Sequence, residues 1–359
     1  MTNEAPSIRP PAEQRYAAEL AALAAQDQFP RPAGWHLSPR AVRSFLLGDT
    51  KLGISRKFYG DDPLVDRAIV SLMSQQGLML VGEPGTAKSL LSELLAAAIS
   101  GTSALGVQGS AGTTEDHIRY GWNYAKLLAE GPSERALVET PVIRGMKDGK
   151  LVRIEELTRI GADVQDTLIT ILSEKSLPIP ELNTEVQAVR GFNIIATANN
   201  RDKGVNDLSS ALKRRFNTVI LPVPDSMEEE IDIVRRRVES FEKIMELPAE
   251  KPALQEIRRI VTIFRELRSG LTLDGKTKLK SPSGTLSTAE AISVVNNGLA
   301  MAGYFGDGQL KAADLAAGIM GAVVKDPVQD QLVWREYLET VIKTRDDWKD
   351  VYRACRDIS

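Results

Sequence analysis

Leu78-Met79-Leu80-Val81-Gly82-Glu83-Pro84-Gly85-Thr86-Ala87-Lys88-Ser89-Leu90 is the stretch that decides the fold of this chain. The first four residues are a continuous apolar run stopping at glycine, the pattern of a strand buried on both faces. A helical pattern follows over Thr86–Ile99, so the segment reads as strand, loop and helix. Between Gly82 and Leu90 the loop is a phosphate cradle. Its backbone N–H groups and the helix N-terminus face an anion, Lys88 reaches the outer phosphates, and the Ser89 hydroxyl suits Mg²⁺. Glu83, Pro84, Gly85, Thr86 and Leu90 complete the cradle. Ala87 stands where glycine usually precedes the lysine. Without glycine's ease at positive φ, it is expected to be helical.

From about Ser44 to Pro224 short apolar runs alternate with helical stretches. Ala104–Gln108, Leu151–Ile154, Asn193–Ala198 and Thr218–Leu221 join Leu78–Val81, with a helix over Val164–Leu172. This predicts an α/β domain whose parallel sheet of five strands is covered by helices on both faces. The strand at Leu151 ends on Glu155 and Glu156, two carboxylates where a nucleotide-hydrolysing site needs a metal ligand and a base for water. Strand alternation suggests Glu155 toward the metal and Glu156 toward the water. Asn199 and Asn200 arrive at the same edge, where open α/β sheets bind ligands. Lys213, Arg214 and Arg215 close a short helix before Phe216; they read either as dipole-complementing surface charge or as an arginine finger.

The composition narrows the setting. Lys+Arg number 45 against 48 Asp+Glu in 359 residues, so no broad electrostatic field favours nucleic acid or anionic lipid. One cysteine and two histidines exclude a disulfide framework and a His/Cys zinc site. No apolar run approaches a membrane span and the N-terminus lacks signal-peptide order, which points to a cytoplasmic protein without membrane insertion. Three regions are expected: an arm over 1–43 with an Ala-rich helix at Ala12–Gln28, docked or frayed; the α/β domain over 44–224; and a helical lid over 225–359. The lid begins at Ser226 with Glu229 three residues on. Its further helices are expected over Ala253–Arg268, Thr288–Ala302, Lys311–Val324 and Asp330–Arg345, around a solvated loop at Ser269–Gly284.

GEPGTAKS, a long insert after the second strand, and NIIATANNRDKGVNDLSSALKRRF resemble the MoxR family of AAA+ ATPases, in the branch that holds magnesium-chelatase ATPase subunits. The resemblance covers about residues 45–300. It implies a hexameric, Mg-ATP-dependent remodelling ATPase whose partner commonly bears a von Willebrand A domain. By this resemblance Lys88 and Ser89 are the phosphate-loop pair, and Glu155 takes the place of the usual Mg²⁺-coordinating Asp. Glu156 is the catalytic Glu, Asn199 the first sensor, and Arg215 the trans-acting finger with Arg214 as substitute. Inserts at about 119–147 and 175–191 are hairpins that face a central pore or decorate the surface. Ala289 lies where related lids carry a second-sensor arginine. Another cation, a neighbour's cation, or weak coupling of nucleotide to lid motion would follow.

Three functions are compatible with these residues. One is an ATP-hydrolysing ring acting as a chaperone on a protein client. A second is a nucleotide-gated assembly protein with little turnover, to which Glu155 and Ala289 point. The third is a nucleic-acid motor, against which stand the balanced charge and 5% aromatic content.

Overall fold

The structure, a computed structural model, describes residues 8–199 and 206–358; Asn200 lies outside them. The chain divides into two compact units. One closes at Pro222, and the other runs from Val223 and includes Pro84–Thr86 of the loop.

The first unit opens with helices α1 (Ala12–Arg15), α2 (Ala17–Gln26), α3 (Pro39–Leu47) and α4 (Asp62–Leu72). The Ala-rich arm is thus two helices, broken at Tyr16, and it is docked: Ala12, Leu20 and Leu23 are buried with Val42 and Phe45. Lys57 fastens it, donating from Nζ to Glu19 Oε2 at 2.5 Å and to the carbonyls of Phe45 and Ser55, with the Tyr16 and Phe45 rings beside the ammonium.

Strand β1 (Gly77–Gly82) leads through the loop into α5 (Lys88–Ser100), and β2 (Gly106–Gln108) follows. Helix α6 (Glu115–Ile118) precedes a hairpin of β3 (Tyr120–Trp122) and β4 (Leu137–Glu139) with α7 (Tyr124–Glu130) between them. Next come α8 (Pro141–Asp148), β5 (Leu151–Glu155) and α9 (Ala162–Ser173). A second antiparallel hairpin joins β6 (Ser176–Ile179) and β7 (Thr184–Gln187). Tyr120 Oη donates to Glu181 Oε2 at 2.8 Å, tying the first hairpin to the tip of the second. Strand β8 (Asn193–Asn199), α10 (Ser210–Lys213) and β9 (Phe216–Leu221) complete the unit.

The central sheet has five strands in the order β2-β5-β8-β1-β9, and every neighbouring pair is parallel. Alternation along the strands divides the core. Leu78 and Leu80 of β1 pack with α3, α4 and α5, whereas Met79 packs with Val152, Ile154, Ile194 and Ala196 beneath α8 and α9. In the central strands β1 and β8, burial on both faces accounts for the apolar runs, whereas the edge strands β2 and β9 expose alternate residues.

The second unit is all helical: α11 (Met227–Met245), α12 (Leu254–Ser269), α13 (Thr288–Phe305), α14 (Ala312–Val323), α15 (Gln329–Thr340) and α16 (Lys349–Asp357). Val234, Ile260, Phe264, Leu299, Trp334 and Tyr337 lie in its core. Ser226 caps α11 by accepting from Glu229 N at 3.0 Å. Ser287 and Glu290 form a full capping box at the start of α13, so the Ser-Thr-Ala-Glu segment has a local helix-starting role. Glu230 is fully buried and accepts from Arg265, Arg268 and Thr288, binding α11 to α12 and α13. The segment from Asp330 to Arg345 is not one helix. It breaks after Thr340 into short 3-10 turns before α16, and Arg345 turns back to the buried Glu266.

Candidate functional site

The carboxyl ends of β1, β5 and β8 bring the site together. Gly82 lies opposite Asn199 in the β1/β8 register, and Gln108 lies opposite Glu155 in the β2/β5 register. The loop from Glu83 to Ala87 leaves β1 here and delivers α5. The N-cap residue of α5 is Ala87, whose methyl cannot cap the helix. The first N–H groups of any helix have no intrahelical partner and carry the positive end of its dipole, so this terminus is suited to an anion.

Helix α5 begins at Lys88, two residues later than the sequence pattern suggested. The reason is Ala87, which is left-handed (φ 62°, ψ 25°) rather than helical in the right-handed sense expected of it. The loop therefore imposes on alanine the conformation that glycine adopts without steric cost, at roughly 1–2 kcal/mol. Gly85, at φ 81°, supplies the loop's other left-handed residue. Lys88 is buried, and its Nζ donates to the carbonyls of Gly82 and Glu83 at 3.0 and 2.8 Å, which keeps the ammonium over the loop.

Glu155 and Ser89 meet directly: Ser89 Oγ donates to Glu155 Oε2 at 2.7 Å. The same oxygen accepts from Thr197 Oγ1 at 2.8 Å, and Oε1 accepts from Ser92 Oγ at 2.6 Å and Arg153 Nη2 at 2.8 Å. Burial opposes ionisation of this carboxyl. The bonds from Ser92 and Ser89, the charge of Arg153 and the bond from Thr197 outweigh it, so Glu155 stays below the usual carboxylate range. A hydroxyl and an ionised carboxylate oxygen side by side are the hard oxygen donors Mg²⁺ takes. Among the described residues no cluster of three His, Cys, Asp or Glu could hold a metal without help. Such an ion would accordingly complete its shell with phosphate and water oxygens, as Mg²⁺ usually does.

Glu156 does not continue the strand. It is left-handed at φ 54°, so alternation along β5 is not what aims it; its N–H donates to Thr197 Oγ1 at 3.0 Å. Its carboxylate accepts from Arg159 at 3.1 Å in a partly exposed ion pair. Asn199 ends β8 half-exposed beside Gly82. Arg215 folds onto its own chain, donating to Ser173 Oγ and to the Ala211 carbonyl. Arg214 is exposed, and its carbonyl accepts from Gln76. In the helical unit Ala289 is exposed in the first turn of α13, and Arg268 Nη1 donates to the Leu286 carbonyl at 2.9 Å.

Ser92, Arg153 and Thr197 were not singled out from the sequence. Two signals point to them in retrospect: Arg153 shares a strand face with Glu155, and Ser92 lies one helical turn beyond Ser89.

A parallel sheet with this strand order, carrying the loop, Lys88, Ser89 and Glu155 at one edge, defines an AAA+ ATPase domain. Residues 77–216 match the AAA domain of the dynein-related subfamily. Residues 228–356 match the YehL-like AAA+ ATPase C-terminal domain. Over 353 residues, 96% of each chain, the sequence is 45% identical to the uncharacterized protein YehL of Escherichia coli (strain K12). The chain belongs to the YehL-like AAA+ ATPases. An uncharacterized Staphylococcus aureus (strain USA300) protein is 30% identical over 142 residues, covering 39% of this chain and 53% of that one. Among solved structures, NtrX from Brucella abortus in complex with ATP is similar at 13% identity and a TM-score of 0.49, covering 82% of this chain and 61% of its own. A Thermotoga maritima RuvB variant reaches 16% and 0.44, with 80% and 77% covered. Likenesses this loose carry nothing about function. Among the described residues, no helix is long and apolar enough to cross a membrane.

Proposed function

We propose that the chain is an Mg²⁺-dependent ATPase of MoxR type that assembles into a ring, hexameric by the resemblance, and uses ATP turnover to remodel or activate a protein client. The observation carrying this reading is the 2.7 Å pair of Ser89 Oγ and Glu155 Oε2 beside a loop that holds Lys88. When bound, Mg²⁺ would be held by Ser89 and Glu155 and would supply neutralisation of the phosphate charge. Gly82–Leu90 bind the phosphates through backbone N–H groups, and Lys88 turns its ammonium from the loop carbonyls to the outer phosphate. Glu156 leaves Arg159 to accept a proton from water that Asn199 orients.

Arg215, with Arg214 as substitute, acts on the nucleotide of a neighbouring subunit. A client with a von Willebrand A domain is the partner the resemblance suggests, and the balanced charge argues against nucleic acid. The cytoplasm is the proposed location. The assembly-protein reading draws on two residues: Glu155 stands where the resemblance expects an Asp, and Ala289 where it expects an arginine.

Mixing two inactive variants tests the ring. Glu156→Gln lacks the base but keeps the arginines, whereas Arg215→Ala keeps the base. If arginine acts between subunits, each alone is inactive and the mixture regains phosphate release. A mixture that stays inactive, or an Arg215→Ala protein and an Arg214→Ala protein that both turn over at the unsubstituted rate, contradicts the proposal.

A further inference from the structure

Glu155 is gripped by more groups than a metal ligand requires, and the extra groups hold its other oxygen. Oε2 faces Ser89 and Thr197, at 2.7 and 2.8 Å. Oε1 accepts from Arg153 Nη2 at 2.8 Å and lies 2.6 Å from Ser92 Oγ, whose single proton is shared between it and the Ser89 carbonyl at 2.9 Å. Arg153 is itself fixed. Its Nε donates to Ser92 Oγ at 3.1 Å and its Nη1 to the Ser103 carbonyl at 3.1 Å. The guanidinium therefore spans from the segment after α5 to the end of β5, with Glu155 between it and Ser89. Glu155 is buried and so is Ser92, so water competes little for these bonds.

A glutamate has one methylene more than an aspartate, and an unrestrained carboxylate on that arm samples more rotamers and can turn either edge to a cation. We propose that Arg153 and Ser92 are positioning residues. By holding Oε1 they fix the flexible side chain and present Oε2 beside Ser89. This rests on the nucleotide-site reading above. It also assigns the longer side chain a consequence: Glu155 is matched to its neighbours, and an aspartate, whose carboxylate lies about 1.5 Å nearer the strand, loses the Ser92 and Arg153 contacts.

The test is an Mg²⁺ titration of the full chain's affinity for a fluorescent ATP analogue, with affinity also measured in EDTA. Supporting groups around a metal ligand typically change metal affinity ten- to hundredfold. Arg153→Ala and Ser92→Ala should each raise the half-saturating Mg²⁺ about tenfold or more, with nucleotide affinity in EDTA essentially kept. Glu155→Asp should raise the Mg²⁺ requirement as well. Ser92→Ala changes no charge, which separates positioning from simple repulsion of the cation by Arg153. If Arg153 acted only through its charge, Arg153→Ala would lower the Mg²⁺ requirement and Ser92→Ala would leave it unchanged; either result overturns the proposal. Should Arg153→Ala fail to fold by circular dichroism, Ser92→Ala and Glu155→Asp decide alone, and an unshifted requirement in both overturns it. Failure of the nucleotide-site reading looks different: the unsubstituted chain would show no Mg²⁺-dependent gain in affinity.

Discussion

Glu230→Ala should unfold the helical unit well before any comparable surface change does. The carboxylate is fully buried. Oε2 accepts from Arg265 Nη1 and Arg268 Nη2, both at 2.9 Å, and Oε1 accepts from Thr288 Oγ1 at 2.8 Å and Arg268 Nη1 at 3.2 Å. Removing it leaves two guanidinium groups whose side chains are only 20% and 16% exposed. Breaking a buried ion pair from one side typically costs 3–5 kcal/mol. The low end applies here, because Arg265 keeps the carbonyls of Pro224 and Asp225 and Arg268 keeps that of Leu286. About 3 kcal/mol is expected, a fall in melting temperature of roughly 10 °C for a unit of this size. Trp334 and Trp348 are both buried in this unit while Trp35 and Trp122 belong to the other, so tryptophan fluorescence during urea unfolding, in a Trp35→Phe/Trp122→Phe background, reports on it. A loss below about 1 kcal/mol would refute the view that this carboxylate ties α11 to α12 and α13.

Other consequences can be checked on the same protein. Ala87→Gly should relieve the roughly 1 kcal/mol of left-handed strain, partly offset by the freer unfolded chain; a melting temperature several degrees lower would argue against strain. Ala87→Val should be harsher than any such gain, since a β-branched residue tolerates this φ poorly, and loss of nucleotide binding is its readout. Burial pushes the Cys355 thiol up to about 12 from 9.0, so the folded state holds its proton where the unfolded chain has lost it. This contribution to stability is complete below pH 9 and is lost as pH rises toward 12; a thiol reagent at pH 8 should modify the native protein at least about a hundredfold more slowly than the unfolded one.

The central strands were legible because burial on both faces favours consecutive apolar residues; the edge strands β2 and β9, which expose alternate residues, were found as well, with ends shifted by a few residues. The phosphate loop was legible for a different reason, since it needs particular residues at fixed spacing. What escaped was governed by distant contacts. Ala87 was expected to avoid positive φ, but its conformation is set by the loop that must deliver Lys88 over Gly82 and Glu83. Glu156 was aimed by strand alternation, yet the strand stops at Glu155 and its N–H is taken by Thr197 from β8. The break after Thr340 carries no Gly or Pro; Arg345 leaves the helical path to reach Glu266, 79 residues away in sequence. Ser92 and Arg153 read as ordinary helix and strand residues until the fold sets both against one carboxylate.

Phosphate release with and without Mg²⁺, by the unsubstituted chain and by Glu156→Gln, tests the central claim most directly. The carboxylate of Glu156 makes only a partly exposed pair with Arg159, so its amide should cost the fold no more than about 1 kcal/mol. If Glu156 is the base, ATP affinity stays unchanged while Mg²⁺-dependent release falls by about a hundredfold or more. Release by Glu156→Gln at the unsubstituted rate, or no release by the unsubstituted chain above a Lys88→Ala control, would contradict the account.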